Sequence, residues 1–305
     1  MIDTQTSDPL VPLAEIAEIE LVILKRMKAL TLGDHASVFK GPGFNLVGLR
    51  DWEPGDGMAS IDWAQSSLNN FSPLITREFE QDSHATVVAV ADASLSTRCG
   101  VGGAVIGAAI ARAVATVGLS AALLQDPFGL ITLDGGCRPL GSTRPRIGKP
   151  HVLHCLDLYQ HRRQTEQSTF EGDLGAAIGA HLRHTSLVPV ISDFLFERAP
   201  DVVQELSKLS AAHDVFLVLA DARFAYQLPE MADGWIRTFD VETGSTRMLS
   251  RREFGQLSHR IETWQDEIVR LAKNADLDAV RVGLDRWEME STLASLVAER
   301  RLRRI

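Results

Sequence analysis

The chain has 305 residues, enough for one large α/β domain with an added layer or for two modest domains. Its 45% apolar and 23% charged residues argue against global disorder, and a net charge of −9 with a pI near 5.5 argues against a general nucleic-acid binder, which needs a basic face to displace counterions. Three cysteines (Cys99, Cys137 and Cys155), with no CxxC pair, argue against a disulfide framework or a zinc knuckle and fit a reducing, cytoplasmic setting.

The start, MIDTQTSDPLVPLAEIAEIE, is acidic and lacks the basic-then-apolar order of a signal peptide. Apolar residues at Leu13, Ile16, Ile19, Leu24, Met27 and Leu30 predict an amphipathic helix over 13–31. Residues 33–80 are rich in turn formers, among them Gly41-Pro42-Gly43 and Pro54-Gly55-Asp56-Gly57, and read as short strands between loops. From Thr86 the character changes. TVVAVAD is a continuous apolar run ending at Asp92, as a strand buried on both faces would be.

Residues 101–124 are almost entirely apolar, with Arg112 as the one charge. Their length would suit a bilayer, but Gly118-Leu119-Ser120 divides them. The stretch therefore reads as a buried helix over 101–117 followed by a strand at 121–125, with a second strand at 129–134 and no membrane span. Further helices are expected at 148–158, 173–184, 200–211, 250–274 and 289–302. Strands are expected at 187–193, 215–220, 235–240, 246–249 and 279–283. Strands alternating with helices imply a doubly wound, mostly parallel α/β sheet. The expected division is an N-terminal helix and extension over 1–80, then an α/β domain over 81–305. The closing Arg300-Arg301-Leu302-Arg303-Arg304 reads as cations complementing the dipole of a final helix.

Ligands of open parallel sheets bind beyond the carboxyl ends of the strands, and two buried runs end there in an acid, Asp92 and Asp193. In Asp92-Ala93-Ser94-Leu95-Ser96 a tight turn can aim residues 92, 94 and 96 at one point. One carboxylate and two hydroxyls form an all-oxygen set suited to a hard cation such as Mg²⁺. Asp193 can add an oxygen directly or through water, and Ser192 is a further acceptor. The bland reading is that Asp and Ser simply favour strand-to-helix turns.

D-x-S-x-S after a first strand resembles the von Willebrand factor A fold. Gly41-Pro42-Gly43-Phe44, Leu49-Arg50-Asp51-Trp52-Glu53-Pro54-Gly55-Asp56, Ile61-Asp62-Trp63, Arg77-Glu78-Phe79-Glu80, Val190-Ile191-Ser192-Asp193-Phe194-Leu195 and Ala212-His213-Asp214-Val215 together resemble the bacterial "domain of unknown function 58" family over roughly 40–300. The resemblance implies a von Willebrand factor A-like domain with a metal-ion-dependent adhesion site at Asp92, Ser94, Ser96 and Asp193, holding Mg²⁺ or Mn²⁺. It also implies a second-loop threonine, but Gly172 stands there, leaving Thr169 or Asp173 to substitute. Ser60 replaces the arginine expected before Ile61-Asp62-Trp63, and Gln65-Ser66-Ser67 departs from the family pattern of small residues followed by arginine. By the same resemblance the protein is a non-enzymatic, cytoplasmic adaptor that partners a MoxR-type AAA+ ATPase and a client protein.

Trp52, Asp56, Asp62 and Trp63 are candidates for a partner-binding edge; the alternative is that the tryptophans anchor the segment and the acids satisfy turn backbones. Two rival functions stay open: a metal-free scaffold, and a Mg²⁺-dependent phosphohydrolase, for which neither a Walker-type loop nor a GxSxG elbow is present. His151 with His154, and His181 with His184, are spaced for transition-metal binding on helices but lack an acid or thiolate partner at a recognised interval.

Overall fold

The computed structural model describes residues 9–32, 45–53, 58, 61–80, 85–101, 104–162, 174–182, 184–226, 235–239, 246–283 and 285–302. The chain forms two compact units, one of residues 1–30 with 85–304 and one of residues 31–84 with residue 305.

In chain order the elements are α1 (Leu13–Leu32), β1 (Asn45–Asp51), α2 (Trp63–Leu68), β2 (Ile75–Glu80), β3 (Val87–Asp92), β4 (Gly100–Val101), β5 (Ala104–Val105), α3 (Ile106–Leu123), β6 (Phe128–Leu133) and β7 (Pro139–Ser142). Then come α4 (Lys149–Arg162), α5 (Leu174–Gly179), β8 (Leu187–Ser192), α6 (Ala199–Leu209), β9 (Asp214–Ala220), β10 (Trp235–Phe239), β11 (Thr246–Ser250), α7 (Arg251–Asn274), β12 (Asp278–Val282) and α8 (Arg286–Leu302).

The larger unit is a mixed α/β structure around a six-stranded sheet of order β12-β9-β8-β3-β6-β7, parallel except for the edge strand β7. Side chains alternate across a strand, and here both faces are apolar. Val87, Ala89 and Ala91 of β3 join one core with residues of α1, α3, α4 and α8, while Val88 and Val90 join a second with residues of α5, α6 and α7. The doubly apolar runs of the sequence follow from this two-sided cover.

Three expectations change. The first helix belongs to the larger unit rather than to the front extension, because Ile16, Ile19, Ile23 and Met27 enter its core. Ile23, not Leu24, continues the stripe, and Leu24 lies 40% exposed. Residues 121–125 form no strand, since α3 runs through Gly118 to Leu123. Gly118 does not break the helix; it makes room for a neighbour. A Cβ there would stand 2.8 Å from Val152 Cγ1 and 2.9 Å from Phe128 Cε1. On length and composition α3 could cross a membrane, but 83% of it is buried inside this unit. The helix expected over 173–184 is shorter, ending at Gly179.

Of the terminal arginines, Arg300 and Arg301 are held by acids at the amino ends of the strands, and Arg303 and Arg304 lie outside the described residues. Arg300 is buried over the Phe216 ring and pairs with Asp214 and Asp278, and Arg301 Nε donates to Asp126 at 2.8 Å.

In the smaller unit β1 and β2 form an antiparallel pair. Asp62 starts α2 by accepting from the backbone N–H groups of Ala64 (3.0 Å) and Gln65 (3.1 Å), an N-cap that satisfies donors lacking helical partners. The buried Ser66 hydroxyl accepts from Ile75 N–H at 2.8 Å and so ties α2 to β2.

Candidate functional site

The chain leaves β3 for β6 on one side of the sheet, and β8 lies on the other side and leads to β9 and β12. The carboxyl ends of β3 and β8 therefore flank the point where strand order reverses, the place where open α/β sheets form a crevice. Val90 pairs with Val190 and Ala91 with Ile191, which brings Asp92 level with Ser192.

Asp92 is buried. Its Oδ1 accepts from Ser94 N–H at 2.8 Å, and its Oδ2 accepts from the Ser192 hydroxyl at 2.6 Å. The Ser192 hydroxyl accepts in turn from Phe194 N–H at 2.8 Å, so it serves as donor to Asp92 as well as acceptor. Ser94 Oγ and Ser96 Oγ lie 2.8 Å apart. Thr97 Oγ1 donates to Ser94 O at 2.7 Å and Tyr159 OH to Asp92 O at 2.8 Å, which holds the loop from both flanks. Sequence reasoning passed over Tyr159, which lies one residue past the helix expected over 148–158, whereas α4 runs on to Arg162.

Each of the four central strands ends in, or is followed at once by, an aspartate that closes its own turn. Asp92 accepts from Ser94 N–H, Asp134 from Gly136 N–H (2.9 Å) and Arg138 N–H (2.8 Å), Asp193 from Leu195 N–H (3.0 Å) and Asp221 from Arg223 N–H (3.0 Å). The signal for Asp134 and Asp221 was present in GLITLD and VFLVLAD, each an apolar run closed by an acid.

The four differ in charge balance. Asp221 receives Arg223 Nε at 2.9 Å and Nη2 at 2.5 Å; burial works to raise its pKa, but these bonds and the guanidinium charge hold it below the usual carboxylate range. Among the described residues no basic side chain pairs with Asp92. Burial pushes its carboxyl above the usual range, the Ser192 and Ser94 bonds oppose this, and the negative charge of Asp134 adds to the rise. A buried carboxylate without a cationic partner is costly unless it takes up a proton or a cation.

A cavity of about 10 Å³ adjoins Asp92 and is lined by Asp134, Cys137, Ser192 and Phe194 among others. That is room for about one water-sized occupant. Burial pushes the Cys137 thiol up to about 12, with the Asp92 charge adding to it, so this cysteine is a packing residue rather than a nucleophile. A larger cleft of about 520 Å³ lies elsewhere, at the amino ends of β9 and β12 beside Asp214, Asp278 and Arg300.

Asp92, Ser94, Ser96 and Ser192 thus come together. Asp193 follows one residue beyond β8, and the neighbour that bonds the Asp92 carboxylate directly is Ser192. The Asp193 carbonyl accepts from the buried Gln265 at 2.9 Å, as does the Ala220 carbonyl, so one amide of α7 braces the ends of β8 and β9. Thr169, Gly172 and Asp173 lie outside the described residues. Among the described residues there is no cluster of three or more His, Cys, Asp or Glu able to hold a metal; a site here would rest on hydroxyls.

Of the candidate partner edge, Asp62 is the buried cap of α2, Trp63 is 54% exposed and Trp52 is half-buried. Asp56 lies outside the described residues. The His151 and His154 rings are 6.1 Å apart and tilted, and the neighbour of Cys155 is His151 at 3.7 Å, one turn away, rather than the adjacent His154.

A family profile described as "Protein of unknown function DUF58" matches residues 48–281. The chain belongs to the DUF58 family. It is similar to "Uncharacterized protein Rv1480" of Mycobacterium tuberculosis and "Uncharacterized protein Mb1516" of Mycobacterium bovis, each 25% identical over 248 residues, 78% of this chain and 73% of the relative. Among solved structures it is similar to a conserved hypothetical protein BatB from Bacteroides thetaiotaomicron (TM-score 0.41) and to an aerotolerance-related membrane protein from Bacteroides fragilis (TM-score 0.42). Each is 13% identical, and the match covers 70% of this chain and 99% of the other.

Proposed function

We propose that this DUF58 protein is a non-enzymatic binding protein whose contact point is a hard cation held at the switch point of a von Willebrand factor A-like sheet. The observation that carries this reading is the buried Asp92 carboxyl, set among the hydroxyls of Ser94, Ser96 and Ser192 and paired with no described basic side chain. The donor set is all oxygen and fits Mg²⁺ or Mn²⁺. Asp92, Ser94 and Ser96 would hold the ion, with Asp193 acting directly or through water and Thr169 or Asp173 as second-loop candidates. An ion with so few anionic ligands stays electrophilic and attracts a carboxylate from a partner. The partner proposed from family resemblance is a MoxR-type AAA+ ATPase acting with a client protein in the cytoplasm, and the exposed Trp63 is a candidate for its contact surface.

Calorimetric titration with Mg²⁺ and Mn²⁺ tests the site. Saturable binding that disappears in Asp92→Ala supports it; absence of binding to folded wild-type protein removes it. Capture of an ATPase from the native cell, lost on EDTA treatment, tests the partner.

A second reading, a metal-free scaffold, is favoured by the mutual bonding of these groups. Ser94 and Ser96 face each other at 2.8 Å, and Ser192 already occupies Oδ2 of Asp92.

A further inference from the structure

Helix α1 is seated by a charge cluster remote in role from the Asp92 site. Its buried stripe, Ile16, Ile19, Ile23 and Met27, shares a core with α3 and α8. At its amino end Glu15 forms an ion pair with Arg112, the one charge of α3, and Arg286 of α8 reaches Glu15 at 3.6 Å. Farther along, Arg26 Nε donates to Ser295 Oγ of α8 at 2.5 Å, and Lys149 of α4 meets Glu20 at 2.7 Å.

Glu290 lies one helical turn beyond Arg286 on the same face of α8 and is only 4% exposed. The charged groups acting on it are Glu15 and Glu18 from α1, Arg112 from α3 and Arg286 from its own helix. Glu15 pairs with both guanidiniums, the buried Arg112 and the half-exposed Arg286, so Glu290 sits near a carboxylate that already claims them. Confining like charges this way disfavours ionising both. Burial, then the charge of Glu15, pushes Glu290 up to about 7.

We propose that the cluster of Glu15, Arg112, Arg286 and Glu290 makes the seating of α1 on α3 and α8 pH-dependent, firm while Glu290 carries a proton and loosened when it loses it. The sign follows from linkage. A carboxyl whose pKa is raised when α1 is seated favours the seated state fully below the ordinary carboxylate value. That advantage declines as pH rises and is gone above about 7. Over pH 5.5 to 8 the opening equilibrium of α1 should rise on the order of tenfold.

Hydrogen exchange of the full-length protein, corrected for the intrinsic pH dependence of exchange, reads this directly. Peptides from α1 should lose protection between pH 5.5 and 8 while peptides from α6 do not, and Glu290→Gln should flatten the α1 profile. A flat α1 profile in the wild type, or an equal slope in folded Glu290→Gln, would overturn the proposal. Should Glu290→Gln fail to fold, Glu15→Gln decides. Removing that neighbouring charge frees Arg112 for Glu290 and should move the transition to lower pH; an unmoved transition counts against the proposal.

Discussion

The Ser192 hydroxyl lies 2.6 Å from Oδ2 of Asp92, so the ends of two adjacent central strands are joined side chain to side chain at the reversal point of the sheet. Replacing Ser192 by alanine leaves a buried carboxyl oxygen and the Phe194 N–H without this partner. We expect a loss of about 1–3 kcal/mol in urea unfolding of the metal-free protein. Asp92→Asn keeps an acceptor for Ser94 and removes the buried charge, so at neutral pH and without metal it should be no less stable than the wild type.

Gln265 makes a second such brace. Gln265→Leu preserves approximate volume but leaves the Asp193 and Ala220 carbonyls without their donor. The expected cost is about 1–3 kcal/mol for each group left unsatisfied. Calorimetry should also show weaker Mg²⁺ binding than in the wild type, since the turn after β8 loses its support.

Gly118→Ala sets two effects against each other. Helix propensity favours alanine by up to about 1 kcal/mol. The added methyl would stand within 3 Å of Val152 and Phe128, both fully buried, and overpacking of this kind costs roughly 1–3 kcal/mol. Denaturant midpoints should therefore fall.

Arg300 discriminates between its two acids. Asp214 is 23% exposed and Asp278 is 73% exposed. Solvent screens the second pair far more than the first. In double-mutant cycles, coupling of Arg300→Met with Asp214→Asn should clearly exceed coupling with Asp278→Asn. Equal couplings would show that burial does not set the difference.

The parallel sheet was legible because its strands are apolar on both faces and end in acids. Residues 87–92, 187–192 and 214–220 lie almost where the apolar runs put them. The end of α3 was misread because glycine marks both helix ends and close packing, and only the positions of Val152 and Phe128 distinguish the two. At the candidate site Asp92, Ser94 and Ser96 could be read from local spacing. Ser192 was read as a further acceptor, but its donation to Asp92 was not, because that depends on the register between β3 and β8, which brings together residues one hundred positions apart. Tyr159 was hidden for the same reason: its apolar ring packs in the core while its hydroxyl reaches a carbonyl across the fold.

The apolar helix α3 has a consequence for synthesis. Its covering residues on α8, among them Leu293 and Val297, lie some 170 or more positions downstream. A growing chain therefore carries 106–123, with a single charged side chain, long before its lid is made. Burial must wait for sequence-distant partners, which slows folding and lengthens the period of exposure to aggregation. Helix α1, which precedes α3 in the chain and bears Glu15 for Arg112, is a covering helix already present when α3 emerges.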